Sequence, residues 1–111
     1  MHITKDNINE FIDGSSMDCS NKGITHIEYI PDGIIHLYCY NNKLTELTKL
    51  PDGLISLWCE NNKLTELPKL PESLKYLWCY NNNLPYKIKI ENLKEHNTLI
   101  KRKQILSKIC G

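Results

Sequence analysis

Hydrophobic residues return along this chain at intervals that suit neither a long helix nor a long strand. Between Leu54 and Pro71 the apolar positions that recur are Leu54, Leu57, Cys59, Leu64, Leu67 and Leu70, with polar residues in most of the gaps. The same order occurs 20 residues earlier as Ile34, Leu37, Cys39, Leu44, Leu47 and Leu50. It occurs again 20 residues later as Leu74, Leu77, Cys79 and Leu84, and then drifts. A looser copy comes first, with Met17, Cys19, Ile24, Ile27 and Ile30. The three clear copies open on Pro31-Asp32-Gly33-Ile34, Pro51-Asp52-Gly53-Leu54 and Pro71-Glu72-Ser73-Leu74. A fixed period of this length predicts a solenoid, in which each repeat buries its apolar face against its neighbours.

Within one period the pattern changes. Around Leu57-x-Cys59 inward and outward positions alternate, which predicts a short strand. Leucines three apart then mark an extended return path, which Pro68 and Pro71 keep out of helix. Strands of successive coils should stack in parallel about 4.8 Å apart. Each strand is followed by an asparagine at one position: Asn42, Asn62 and Asn82. A buried amide there can donate to and accept from the backbone groups that the bend leaves unpaired. In the first copy Lys22 takes this place and Asn21 comes one residue early, so that coil is expected to be distorted and to form an edge.

The unit Leu54-x-x-Leu57-x-Cys59-x-x-Asn62-x-Leu64-x-x-Leu67-Pro68-x-Leu70-Pro71 resembles the leucine-rich repeat family. The subclass it resembles is the 20-residue type, with LPxxLxxLxCxxNxLTxLP-like units, found in bacterial effectors and giant DNA viruses. The resemblance runs from about Met17 to Leu84. Lys22 and Lys87 stand where the pattern asks for asparagine and leucine. It implies an α/β solenoid, a right-handed coil with a short-stranded parallel sheet on its concave face, and protein binding on that face.

The ends read as caps of a single domain. Residues 1–13 are expected to form an N-terminal helical cap, with Ile8, Phe11 and Ile12 at helical spacing and Gly14 as the stop. Residues 14–90 hold the repeats. Residues 91–111 are expected to form a C-terminal helical cap that starts at Asn92-x-x-Glu95 and covers the last coil with Leu99, Ile105, Leu106, Ile109 and Cys110.

Composition narrows the function. A net charge of +1 in 111 residues leaves no field that points to nucleic acid or an anionic membrane. No apolar run is long enough for a signal peptide or a membrane span. A reducing, intracellular compartment is expected, which would be the host cytoplasm for a viral or effector protein. Five cysteines, an odd number, argue against a full disulfide framework. Cys19, Cys39, Cys59 and Cys79 share one inward repeat position. Stacked α-carbons there would lie within disulfide range, but side chains projecting side by side give a poor dihedral. A straight ladder also cannot converge four thiolates on a zinc ion. These cysteines read as small buried hydrophobes. His2, His26, His36 and His96 are scattered and suggest no metal site and no catalytic base.

The outward strand positions are richer. They are His36, Tyr38 and Tyr40, then Ser56, Trp58 and Glu60, then Tyr76, Trp78 and Tyr80. Stacked in register, Tyr38, Trp58 and Trp78 form one column, and Tyr40, Glu60 and Tyr80 the next. Trp and Tyr dominate interface hot spots, so His36, Tyr38, Tyr40, Trp58, Glu60, Tyr76, Trp78 and Tyr80 are the candidate partner-binding residues. Ladder packing between adjacent strands is the competing explanation.

The expected function is a non-enzymatic protein–protein interaction module that binds through this aromatic concave face, without a cofactor. The alternative is a self-associating solenoid, a homo-oligomer that uses the same face or a sheet edge. Glycan or single-strand nucleic-acid stacking on the aromatics is a further option, and the near-neutral charge disfavours the nucleic acid. The basic last helix admits an acidic partner. Some proteins with such repeats carry a ubiquitin ligase domain with a catalytic cysteine. Here about 20 residues follow the last coil, and Cys110 has no surrounding fold to activate it.

Overall fold

The chain is described here by a computed structural model covering residues 1–110, with side chains placed through Lys108. Four coils are stacked in parallel. Their strands are β3 (Ser16–Asp18), β5 (His36–Tyr38), β6 (Ser56–Trp58) and β7 (Tyr76–Trp78). The register advances by one repeat per strand: Met17 pairs with Leu37, Leu37 with Leu57 and Leu57 with Leu77. Backbone bonds extend the ladder beyond the strands, from Cys39 N–H to Trp58 O at 2.8 Å and from Cys59 N–H to Trp78 O at 2.8 Å. The inward columns fill the coil. Leu37, Leu57, Cys39, Cys59, Leu44, Leu64, Leu54 and Leu70 are all buried.

Each coil closes at its Pro-Asp-Gly turn. The amides of Ile34, Leu54 and Leu74 donate to the carbonyls of Pro31, Pro51 and Pro71 at 3.1–3.2 Å. Neither Gly33 nor Gly53 has a positive φ. Ser73 therefore replaces the glycine in the third copy without strain, and its single hydroxyl proton is shared between Asp52 O at 2.8 Å and Leu54 O at 2.7 Å.

The asparagine ladder forms as the sequence suggests. Asn62 Nδ2 donates to the carbonyls of Cys39, Cys59 and Glu60, and its Oδ1 accepts from Leu44 N–H. Asn42 and Asn82 repeat the arrangement. A second ladder lies beside it, which the sequence analysis did not identify. Asn21, Asn41, Asn61 and Asn81 all have φ between 54° and 58°. Short polar side chains tolerate that left-handed turn better than most residues do. Asn41 Nδ2 donates to Asn21 Oδ1 at 2.8 Å, and Asn81 Nδ2 to Asn61 Oδ1 at 2.7 Å.

Asn21 is thus in place, but the first coil departs from the others just after Lys22: Gly23 has a φ of 65°, and none of its counterparts Lys43, Lys63 and Asn83 has a positive φ. Its Lys22 and Ile24 amides both donate to Asn42 Oδ1. It is not a bare edge. The strand β2 (Ile12–Asp13) pairs antiparallel with β3 across a turn at Gly14, whose φ is 61°.

The N-terminal cap differs from the helix expected over residues 1–13. Ile8–Phe11 forms only a 3-10 turn, flanked by β1 (His2–Ile3) and β2. β1 pairs in parallel with β4 (His26–Ile27) on the return path, so the extended segments on both sides leave no length for a helix. Ile3, Ile8 and Phe11 are nonetheless buried against the first coil.

At the other end α1 (Leu93–Cys110) follows a 3-10 turn at Ile90–Asn92. Its first two turns dock through Leu93 and His96. Leu99, Ile105 and Leu106, expected to cover the last coil, are exposed. Asn97 adds two hydrogen bonds to Leu70, and farther along the helix stays beside the return path, with Ile100 half-buried near Leu47 and Leu67 and Lys103 3.9 Å from Glu66. The side chains of Ile109 and Cys110, also expected on that arc, lie outside the described residues, as does Gly111.

Candidate functional site: the aromatic face of the sheet

Alternation along three-residue strands sends His36, Tyr38, Ser56, Trp58, Tyr76 and Trp78 to the sheet face opposite the core. The parallel register then stacks them. Tyr38 faces Trp58, which faces Trp78. The Tyr38 and Trp58 rings meet edge-on at 4.8 Å, and the two indoles lie 4.1 Å apart at 33°. The next column is held by backbone bonds from Asn41 N–H to Glu60 O and from Asn61 N–H to Tyr80 O. It contains Tyr40, Glu60 and Tyr80, and Tyr40 lies 6.2 Å from the Trp58 ring. In the first column His36 Nδ1 pairs with the Ser56 hydroxyl at 2.9 Å, and the His36 and Tyr38 rings stack at 6.3 Å.

Exposure is graded across this face. On the last coil Tyr76, Trp78 and Tyr80 are 59%, 47% and 58% exposed. Tyr38, Tyr40, Trp58 and His36 are partly covered. Ser56 and Glu60 are buried even though they point away from the core, because larger side chains flank them on both neighbouring coils. Glu60 as a residue is only 5% exposed, and burial pushes its carboxyl pKa above the usual range, with backbone and Tyr80 hydrogen bonds opposing part of that rise. Two buried side-chain atoms among the described residues have no hydrogen-bond partner, Trp58 Nε1 and Glu60 Oε1, and both belong to β6 or its extension.

Behind Trp78 and Tyr80 the solenoid ends in a cavity of about 490 Å³ lined chiefly by Leu77, Cys79, Leu84, Tyr86 and Ile88. The outer edge of β7 has no partner strand among the described residues. The repeats did not reveal this cavity, because Tyr86 and Ile88 fall after the pattern drifts.

The cysteine column is chemically quiet. Burial, followed by the charge of Asp18, pushes the Cys19 thiol up to about 12. Burial also drives Cys39 and Cys59 well above their usual value. Cys19, Cys39, Cys59 and Cys79 are all free thiols, and Cys79 donates to Ile88 O at 3.5 Å. Among the described residues no three His, Cys, Asp or Glu side chains are grouped to hold a metal ion.

His96 is structural. It is 2% exposed and bridges the Tyr86 hydroxyl at 2.7 Å and Pro68 O at 2.9 Å. A carbonyl can only accept, so Nε2 carries a proton.

No protein-family model matches the chain, and no curated protein does. Among solved structures, YopM from Yersinia enterocolitica WA-314 is similar at 40% sequence identity and a TM-score of 0.61. The match covers 61% of this chain and 15% of that one, so this chain corresponds to a small part of the length of YopM.

Proposed function

We propose that the chain, a leucine-rich repeat protein of the 20-residue, effector-like type, acts as a non-enzymatic protein-interaction module whose contact surface is the aromatic concave face. The observation that carries this reading is the graded aromatic surface itself. Trp78, Tyr76 and Tyr80 expose large rings on a sheet that the buried coil already holds rigid. Aromatic side chains give large contact area with few rotatable bonds and so lose little entropy on contact, which is why they anchor interfaces. Trp58 and Trp78 are the anchors in this reading, with Tyr38, Tyr40, Tyr76, Tyr80, His36 and Glu60 around them. No helix among the described residues is long and apolar enough to cross a membrane. Action in the host cytoplasm follows if the chain serves as an effector.

The test is affinity capture with mass spectrometry, comparing the native chain with the Trp58→Ser, Trp78→Ser double variant. The partner should be lost with the double variant while the far-UV spectrum is kept. Capture that survives the double substitution would sink the reading.

Self-association is the second reading, and the unpaired outer edge of β7 favours it. Light scattering over a concentration series should then show a mass that rises with concentration, and a constant monomer mass would dismiss it.

A further inference from the structure

We propose that Glu60 and Trp58 form a subsite for a guanidinium group, an arginine side chain of the bound partner, between the Tyr40 and Tyr80 rings. The inference rests on the aromatic face being the contact surface. Of the nine outward positions in the three clear repeats, only Glu60 is a carboxylate. It is set at the centre of the sheet and is 5% exposed, and one of its oxygens has no partner. Leaving a buried acceptor unsatisfied costs free energy, and a carboxylate costs more than a neutral group. The neighbouring unsatisfied atom, Trp58 Nε1, is a donor. One partner segment can satisfy both: a cationic side chain donates to Glu60 Oε1, and a main-chain carbonyl accepts from Trp58 Nε1.

The surrounding rings select the kind of cation. Tyr40 and Tyr80 belong to the coils on either side of Glu60, two strand spacings or roughly 9.6 Å apart. The Glu60 side chain stands in that gap, so a cation reaches its carboxylate from the solvent side, flanked by the two rings, once the Tyr80 hydroxyl releases it. A guanidinium is planar, stacks on aromatic rings and donates a fork of N–H groups to a carboxylate. A lysine ammonium has no plane to stack. Entry is through Tyr80, which is 58% exposed and stands on the last coil, where no further coil holds its ring in place.

The experiment is an NMR titration of the full chain with N-acetyl-arginine methylamide, and in parallel with the neutral isostere N-acetyl-citrulline methylamide. The arginine probe should move the Trp58 Nε1–H resonance saturably. Glu60→Gln should weaken that binding at least about tenfold, and citrulline should not bind. No shift with arginine, an equal response to citrulline, or undiminished binding by Glu60→Gln would each overturn the subsite. The citrulline arm needs no variant, so a folding defect cannot mask the answer. If the arginine probe fails while partner capture still depends on Trp58 and Trp78, the guanidinium subsite falls and the proposed interaction face stands.

Discussion

Two asparagines sit side by side in every clear repeat, and they do different work. Asn62 makes four hydrogen bonds inside the coil, three to carbonyls and one from an amide. Asn62→Leu should destabilise the chain by about 3 kcal/mol or more, since it strands those groups in the interior. Asn61 instead holds a left-handed φ of 57°. Asn61→Gly should be nearly neutral in urea unfolding, and Asn61→Val should cost about 1–2 kcal/mol. The role of Asn62 was legible, because an interior polar residue at a fixed repeat position needs partners. The role of Asn61 was written in the same doublet but was masked by it, and Asn21 was read as misplaced. The buried state of Glu60 was not legible at all, because alternation gives the direction of a side chain and not the size of its neighbours. The cysteines carry a pH consequence. Their raised pKa values mean that the unfolded chain releases thiol protons first as pH rises. Stability should therefore fall from about pH 9 towards the folded value of about 12 for Cys19, read as a declining urea midpoint. At pH 8 iodoacetamide should label Cys79 slowly and leave Cys19, Cys39 and Cys59 untouched, as mapped by mass spectrometry.

Elements at the two ends are held by different means. The N-terminal segment is woven into both sides of the first coil as strands, so it forms part of the solenoid. α1 is attached at a few points. His96 reaches Tyr86 and Pro68, and Asn97 exchanges two 2.7 Å bonds with the Leu70 amide and carbonyl. Beyond Asn97 the described residues add the half-buried Ile100 and one exposed ion pair, Lys103 to Glu66 at 3.9 Å, and such pairs contribute little. Short isolated helices are marginal in water, so α1 depends on those few anchors. His96→Ala leaves Pro68 O and the Tyr86 hydroxyl without their partner, at a cost of about 2 kcal/mol. Hydrogen exchange in α1 should then quicken by roughly 30-fold, while the Asn42 and Asn62 coils keep their protection. Equal acceleration in coils and helix would mean that α1 is part of one cooperative core. The helix itself was legible from its start at Asn92 and from its spacing. Its docking was not, because the anchors are polar residues, while the apolar arc of Leu99, Ile105 and Leu106 pointed to a cover that does not form.

At the scale of the whole molecule the solenoid is closed at one end and open at the other. β2 covers β3, but no strand among the described residues pairs with the outer edge of β7, and Leu77, Cys79 and Leu84 are only half-buried where their counterparts Leu57, Cys59 and Leu64 are fully buried. In a stack of near-identical repeats, stability is a sum of repeat and interface terms. Each internal coil gains two interfaces, and the last gains one. A duplicate of residues 51–70 inserted after Leu70 adds one coil and one interface without touching either end. The inserted copy also finishes in the same Pro-Lys-Leu that His96 and Asn97 grip, so α1 keeps its dock. The extended chain should unfold in urea at a higher midpoint, with an m-value raised by roughly one fifth, in proportion to the surface added. It should also carry one more tryptophan in the Tyr38, Trp58, Trp78 column. A lower midpoint would show that the coils are not interchangeable. A higher midpoint with an unchanged m-value would show that the new coil does not unfold with the rest.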